Sequence, residues 1–253
     1  KVLVTYTNIT IKRSFNAMAV GERLGLSDLA EEGYASFDRW YSFTQQHGIH
    51  EYLSPSYYRV DIDALDNIAM WVERADVRER AVRMLNYVWS DIAANWFEPC
   101  ARLGGAHSRD YDYLRGDSSG IGAMLTSLLA NPDVHDGIDR APLKELMATV
   151  PRFVHQSWGD KPGQTASQYV ADTFSVGSAD ASRHNMDKVL TVNMAGDKDT
   201  PMFTFLMDGR GDPYGVNPIE EPDGHTKSRH LLPFVTSVQR DAEVLLLASA
   251  GPA

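Results

Sequence analysis

Between Gly48 and Asp61 the chain reads Gly-Ile-His-Glu-Tyr-Leu-Ser-Pro-Ser-Tyr-Tyr-Arg-Val-Asp, which gathers two carboxylates, three tyrosines, two serines and an arginine. Glu51 or Asp61 can serve as an acid or base. Tyr57 or Tyr58 can move a proton if a neighbouring cation lowers the phenol pKa. Amphipathic segments flank the stretch, so it reads as the loop at one end of a helical hairpin. Loops fixed on a rigid scaffold are where catalytic groups usually sit. The plainer alternative is a polar turn whose tyrosines pack on neighbouring helices.

A second cluster, Gly104-Gly-Ala-His-Ser-Arg-Asp-Tyr-Asp-Tyr113, offers a titrating imidazole in His107, an anion clamp in Arg109 and an orienting carboxylate in Asp110. Its plain alternative is a solvated loop closed by an Arg–Asp pair. Two such loops at equivalent ends of successive hairpins would share one rim. A third cluster runs from Asp212-Pro-Tyr-Gly215 to Gly224-His-Thr-Lys-Ser-Arg-His230. His225 and His230, with Glu220 and Asp223 nearby, fit no established zinc spacing, so the segment reads as a basic loop and no metal is assigned. Arg183, His184 and Asn185 form a smaller polar group. His47 and His50 flank the first cluster, whereas His135 and His155 have no supporting neighbours.

Nucleotide-binding glycine motifs, a nucleophile elbow and His-Glu-x-x-His are all absent from the sequence, so no cofactor is assigned. The net charge of -10 argues against a broad nucleic-acid footprint, although a locally basic cleft can still take an anionic substrate. The single cysteine, Cys100, excludes an internal disulfide and reads as an inert packing residue. No apolar run is long enough to span a membrane. Asn8-Ile-Thr10 is a glycosylation sequon, and with it secretion or a periplasmic location is the expectation, a cytoplasmic one the alternative. The first residue is Lys1, and a strand-like run stops just before Ala253, so the native protein is expected to continue.

Residues from about 8 to 157 read as helices. An apolar periodicity starts at Phe15, and Asp28 to Gln46 places Leu29, Tyr34, Phe37, Trp40 and Phe43 at helical spacing. Further helices are expected at about 61–75, 77–97, 119–130 and 142–157. Repeated helix pairs point to an α/α toroid or solenoid. From about 165 the period becomes two: 189–194, 202–207 and 243–247 read as strands, with 195–201 as a hairpin connection. The fold class is therefore α+β, with a helical toroid-like domain over 1–160 and an antiparallel β-sandwich-like domain over 165–253. Asp160-Lys-Pro-Gly163 reads as the linker.

Helical hairpins followed by strands, with Gly-Ile-His-Glu-Tyr-Leu-Ser-Pro-Ser-Tyr-Tyr between two early hairpins, resemble the heparinase II/III and alginate-lyase-like polysaccharide lyases. Ser54-Pro55-Ser56-Tyr57-Tyr58 stands where those enzymes carry a tyrosine after a glycine-led loop. Asn8 matches the asparagine of an early helix that neutralises the substrate carboxylate. His107 resembles the lyase histidine, with Arg109 as a carboxylate clamp, and Gln168–Ser178 resembles the opening strands of the family's sandwich. The resemblance implies β-elimination on an acidic, uronate-containing oligosaccharide or polysaccharide. Asn8 or Arg109 would neutralise the carboxylate, and Tyr57, Tyr58 or His107 would take the C5 proton. Glu51 would orient the catalytic groups, while Asp110, Tyr52 and Trp158 would help to hold substrate.

Three alternatives remain beside this expectation. A glycoside hydrolase would use Glu51 with Asp61 or Asp110, at a separation of about 6.5–9.5 Å if inverting. A toroid enzyme on another metabolite would line its cavity with Trp71, Trp89, Trp96 and Trp158. A non-catalytic glycan-binding protein would use aromatic platforms alone.

Overall fold

The computed structural model describes residues 2–110, 120–131, 137–181, 187–196, 202–205, 218–220, 226–228 and 234–249. Four long helices open the chain: α1 (Thr7–Leu24), α2 (Ser27–His47), α3 (Pro55–Trp71) and α4 (Ala75–Ala94). A two-residue pair, β1 (Trp96–Phe97) with β2 (Arg102–Leu103), follows, then α5 (Ile121–Ala130) and α6 (Arg140–Ala148). The remaining strands are β3 (Arg152–Ser157), β4 (Thr165–Val170), β5 (Phe174–Ala179), β6 (Leu190–Met194), β7 (Met202–Thr204), β8 (Pro218–Glu220), β9 (Thr226–Ser228), β10 (Phe234–Arg240) and β11 (Glu243–Ser249). Helices precede the main strands and every described strand pair is antiparallel, so the fold is α+β, as the change of period predicts.

The helical core is built from the apolar stripes of the four long helices. Ile11, Phe37, Trp40, Leu65, Val88 and Trp89 are all buried in it. Helix α1 lies very close to α2 because a glycine on each faces the other helix. A Cβ on Gly21 would stand 2.5 Å from the backbone nitrogen of Ala30, and one on Gly33 would stand 2.6 Å from Cγ of Met18. Either contact is closer than packed atoms tolerate, so the interhelical distance is set by the missing side chains.

Helix α3 starts earlier than the expected 61–75. Ser54 is its N-cap, its hydroxyl accepting from the Tyr57 backbone N–H at 3.3 Å, and Pro55 takes the first helical position, where its missing N–H costs nothing. The second half of the expected catalytic loop is therefore helix, and Tyr57, Tyr58 and Asp61 lie on its first two turns.

The expected helix over 142–157 is also corrected. Helix α6 stops at Ala148 and its C-cap Thr149 is already extended, in keeping with Pro151 just beyond, which cannot donate to a helix. Residues 152–157 then form β3, the edge of a five-stranded sheet in the order β3-β4-β5-β6-β7. Asp160–Gly163 lies in the turn joining β3 to β4, closed by Trp158 N–H to Gln164 O at 2.9 Å, and is not a linker. The β10–β11 hairpin lies against β5: Gln239 Nε2 donates to Val176 O at 2.9 Å, and Ser237 Oγ donates to Asp180 Oδ1 at 2.9 Å.

Candidate functional site

The two sequence clusters meet in space. The 104–110 loop lies directly on β4 and β5, which only glycine permits. A Cβ on Gly104 would stand 2.3 Å from Nε2 of Gln168, and one on Gly177 of β5 would stand 2.3 Å from Cα of Gly105. From there the loop is tied on two sides. His107 exchanges backbone hydrogen bonds with Lys188, at 3.0 and 2.8 Å, and Ser108 N–H donates to Tyr52 O at 2.9 Å. Asp187 Oδ1 accepts from both Ser108 Oγ (3.0 Å) and Arg109 N–H (2.9 Å). Arg109 itself has a positive φ of 49°, a conformation a non-glycine residue keeps only where its surroundings enforce it.

The result is an arginine held among aromatic rings and a carboxylate. Nη1 of Arg109 lies 3.2 Å from Oε1 of Glu51. Its guanidinium carbon is 4.8 Å from the Tyr57 ring centroid and 5.3 Å from that of Tyr6, both within cation–π range. Glu51 is fully buried, Arg109 is 9 % exposed and Tyr57 is half-buried, so Tyr57 is the most accessible of the three. Asn8 is buried in the first turn of α1, two residues after Tyr6. Its sequon partner Thr10 is buried too, a placement that leaves no room for a glycan.

Asp61 occupies the turn of α3 below Tyr57, with both carboxyl oxygens buried and without a hydrogen-bond partner among the described residues. Burial raises its pKa well above the ordinary value. The charge of Glu51 adds to that rise and the charge of Lys12 opposes it.

Several expected roles do not fit where the residues lie. Tyr58 has no exposed surface and its hydroxyl donates to Asp91 Oδ2 at 2.6 Å. Burial, then the Asp91 charge, raises its pKa well above 10, so it is corrected from proton carrier to core residue. Asp91 is itself pushed up to about 6 by burial, against hydrogen bonds from Tyr58, Gln156 and Asn95 that pull it down.

His107 is 1 % exposed, with Nδ1 against Leu53 O at 2.9 Å. Burial first, then the charges of Arg102 and Lys188, push its pKa down to about 3, although the backbone carbonyls of Leu53 and Leu103 pull the other way. It is a neutral anchor of the loop and does not fit as the base. Asp110 is buried near Lys188. Burial lowers the Lys188 pKa, and the charges of Asp110 and Asp187 pull it back up.

Tyr52 and Trp158 are fully buried against each other, ring centroids 4.8 Å apart, and His50 packs edge-on at 5.6 Å. Trp158 Nε1 donates to Thr165 O at 2.9 Å. Both residues therefore join helix and sheet, and neither offers a face to substrate. Trp89 and Trp96 are buried as well, whereas Trp71 is 57 % exposed at the far end of α3. The third cluster's loops (212–217, 221–225, 229–230), with 111–119, 183–185 and His135, lie outside the described residues. Among the described residues no group of three or more His, Cys, Asp or Glu could hold a metal ion, and no helix is long and apolar enough to cross a membrane.

Sequence reasoning passed over Tyr6, Asp91 and Asp187. The carboxylate of Asp91 interrupting the apolar stripe of α4 between Trp89 and Ile92 was a usable signal. The other two reach the cluster only through the tertiary fold.

The geometry defines an α+β protein with a tyrosine-flanked arginine site at the junction of helices and sheet. Residues 1–144 match a family described as "Domain of unknown function (DUF8769)", and the chain belongs to it. The match covers α1 to α5, most of α6 and every residue of the cluster except Asp187 and Lys188. No curated protein and no solved structure matches the chain.

Proposed function

We propose that the chain is a polysaccharide lyase that cleaves a uronate-containing glycan by β-elimination at Arg109 and Tyr57. The observation that supports this reading is the stacking of Tyr57 on the Arg109 guanidinium at 4.8 Å. In the proposed reaction Arg109 hydrogen-bonds the sugar carboxylate and, with Asn8 nearby on α1, stabilises the negative charge that develops when C5 loses its proton. Tyr57 takes that proton as a phenolate stabilised by the adjacent cation. The C5–H and C4–O bonds break, a C4=C5 double bond forms, and the proton leaves on the departing sugar oxygen. Glu51 orients Arg109, and His107 fixes the loop that carries it.

The test is incubation with a panel of uronate polysaccharides. Growth of the ultraviolet absorbance of an unsaturated uronate, lost in Tyr57→Phe, is the expected result. Turnover that survives Tyr57→Phe and Arg109→Ala together overturns the assignment.

A second reading, a glycoside hydrolase using Glu51 with Asp61, is supported by the raised pKa of Asp61, since a general acid must keep its proton until the bond breaks. New reducing ends without the unsaturated chromophore would favour it. Substrate chemistry and the lyase family resemblance stand or fall with these assays.

A further inference from the structure

Trp71 breaks the pattern of the other tryptophans. Trp40, Trp89, Trp96 and Trp158 are buried, as tryptophan usually is, whereas Trp71 leaves 57 % of its surface in solvent. It is the last residue of α3 and lines a cleft of about 410 Å³, large enough for a small organic ligand. Phe15 and Ala19 of α1 add apolar lining, and Glu22, Arg23, Asn67 and Glu73 supply polar groups. The cleft is remote from Arg109: Glu22 follows Tyr6 by sixteen residues, about 24 Å along α1 at 1.5 Å per residue.

One of these polar groups is fixed in place. Oε1 of Glu22 accepts from the Tyr34 hydroxyl and, at 3.0 Å, from the Glu73 backbone N–H. Those bonds tie the end of α1 to α2 and to the turn between α3 and α4. They hold the carboxylate in one orientation and leave Oε2 without a partner among the described residues. Asn67 is placed in a similar way, with Nδ2 donating to Asp63 O at 2.7 Å in its own helix and Oδ1 left over. It stands one turn before Trp71, on the same face of α3. A rigid acceptor, an amide and an indole thus line one space without satisfying one another.

The charges narrow the ligand. Glu22 and Glu73 oppose an anion, and Arg23 opposes a cation. A wholly apolar ligand would strip water from these groups and return no hydrogen bond. The chemistry that remains is a neutral ring with an apolar face and hydroxyls at its edge. We propose that this cleft binds a neutral pyranose unit of a glycan. The C–H groups of the sugar face lie on the electron-rich face of Trp71, and edge hydroxyls donate to Glu22 Oε2 and Asn67 Oδ1. The site is independent of the lyase reading and separate from the uronate site which that reading puts at Arg109.

The probes are methyl glycosides and short neutral oligosaccharides of glucose, mannose, galactose and xylose. The other four tryptophans are buried, so the emission of the folded chain that acrylamide quenches belongs to Trp71. A bound sugar is expected to shift that emission to the blue and to lower the quenching constant. Saturation-transfer NMR reads the same binding from the sugar protons, so it also serves variants that lack the indole. The transfer is expected to be lost in Trp71→Ala, and the affinity to fall about two- to tenfold in Asn67→Ala, the worth of one hydrogen bond. Both positions are exposed, and neither side chain closes the helical core.

Failure of every neutral sugar to shield Trp71, or saturation transfer that persists in Trp71→Ala, overturns the proposal. Shielding by benzyltrimethylammonium alone or by galacturonate alone also overturns it, and assigns the cleft to a cation or an anion. A chain that binds neutral sugar at Trp71 yet eliminates no uronate glycan supports this site and removes the lyase reading. A uronate lyase whose Trp71 no sugar shields does the reverse.

Discussion

Tyr57 and Tyr58 are neighbours in sequence and opposites in circumstance. The ring of Tyr57 stacks on Arg109 at the edge of the site, while the hydroxyl of Tyr58 is sealed in the helical core on Asp91, 2.6 Å away. One helical step of about 100° turns adjacent side chains to different faces of α3, and that rotation separates chemistry from packing.

Paired variants read this difference directly. Tyr57→Phe keeps the ring on Arg109 and is expected to leave the melting temperature nearly unchanged while lowering turnover by about 10²–10⁴-fold, the usual worth of a positioned acid or base. Tyr58→Phe leaves the buried Asp91 oxygen short of a donor and is expected to cost about 1–3 kcal/mol of stability. Denaturant unfolding beside a turnover assay separates the two. Reversal of the pattern would assign the proton to Tyr58.

Arg109→Lys keeps the charge and gives up the planar fork and its stacking. The expected result is a rise in the Kd for uronate oligosaccharides of about tenfold or more, equivalent to 1.4 kcal/mol, with a smaller change in melting temperature. Isothermal titration at low and high salt checks it. Unchanged affinity would mean that a point charge is enough and that the two tyrosines serve packing.

How much of this was legible follows from the range of the interactions. The apolar stripe of α2, with Phe37 and Trp40, is a local periodic signal, and the observed Ser27–His47 lies within a residue of the expected ends. Ser54-Pro55 was equally local, but the density of reactive side chains after it favoured a loop over a capped helix. The burial of His107 was not legible. Glycine-led polar loops usually run on the surface, and only contact with Gly177, far along the chain, shows that this one is covered. The Arg109 site was half legible: Glu51, Tyr57 and Arg109 were named, yet nothing in their spacing says that Tyr6 would complete the stack.

His107 gives the chain an acid weakness. Its folded pKa, about 3, lies below the unfolded value of 6.5, so the unfolded chain binds a proton that the folded chain refuses. The stability it contributes is complete above 6.5 and is lost as pH falls from there toward 3. Melting temperatures measured down this range should drop more steeply for wild type than for His107→Gln. Parallel curves would show that the imidazole accepts a proton in place.

Gly177→Ala tests the seat of the site loop. The added Cβ would meet backbone at 2.3 Å, which no side-chain rotation can relieve. Loss of about 1–3 kcal/mol in stability is expected, together with weaker uronate binding, because the loop that carries Arg109 must lift from β5. Retained stability with retained binding would mean that the sheet yields locally.

The glycine contacts between α1 and α2 make α1 a lever with its fulcrum far from the site. Tyr6 sits at one end of an eighteen-residue helix and Gly21 near the other, about 22 Å away at 1.5 Å per residue. A bulkier residue at Gly21 or Gly33 would tilt the whole rod, and Tyr6 would swing relative to Arg109 without any change among the residues that touch it. The distance between the Tyr6 ring and the Arg109 guanidinium therefore depends on a packing seam remote from both.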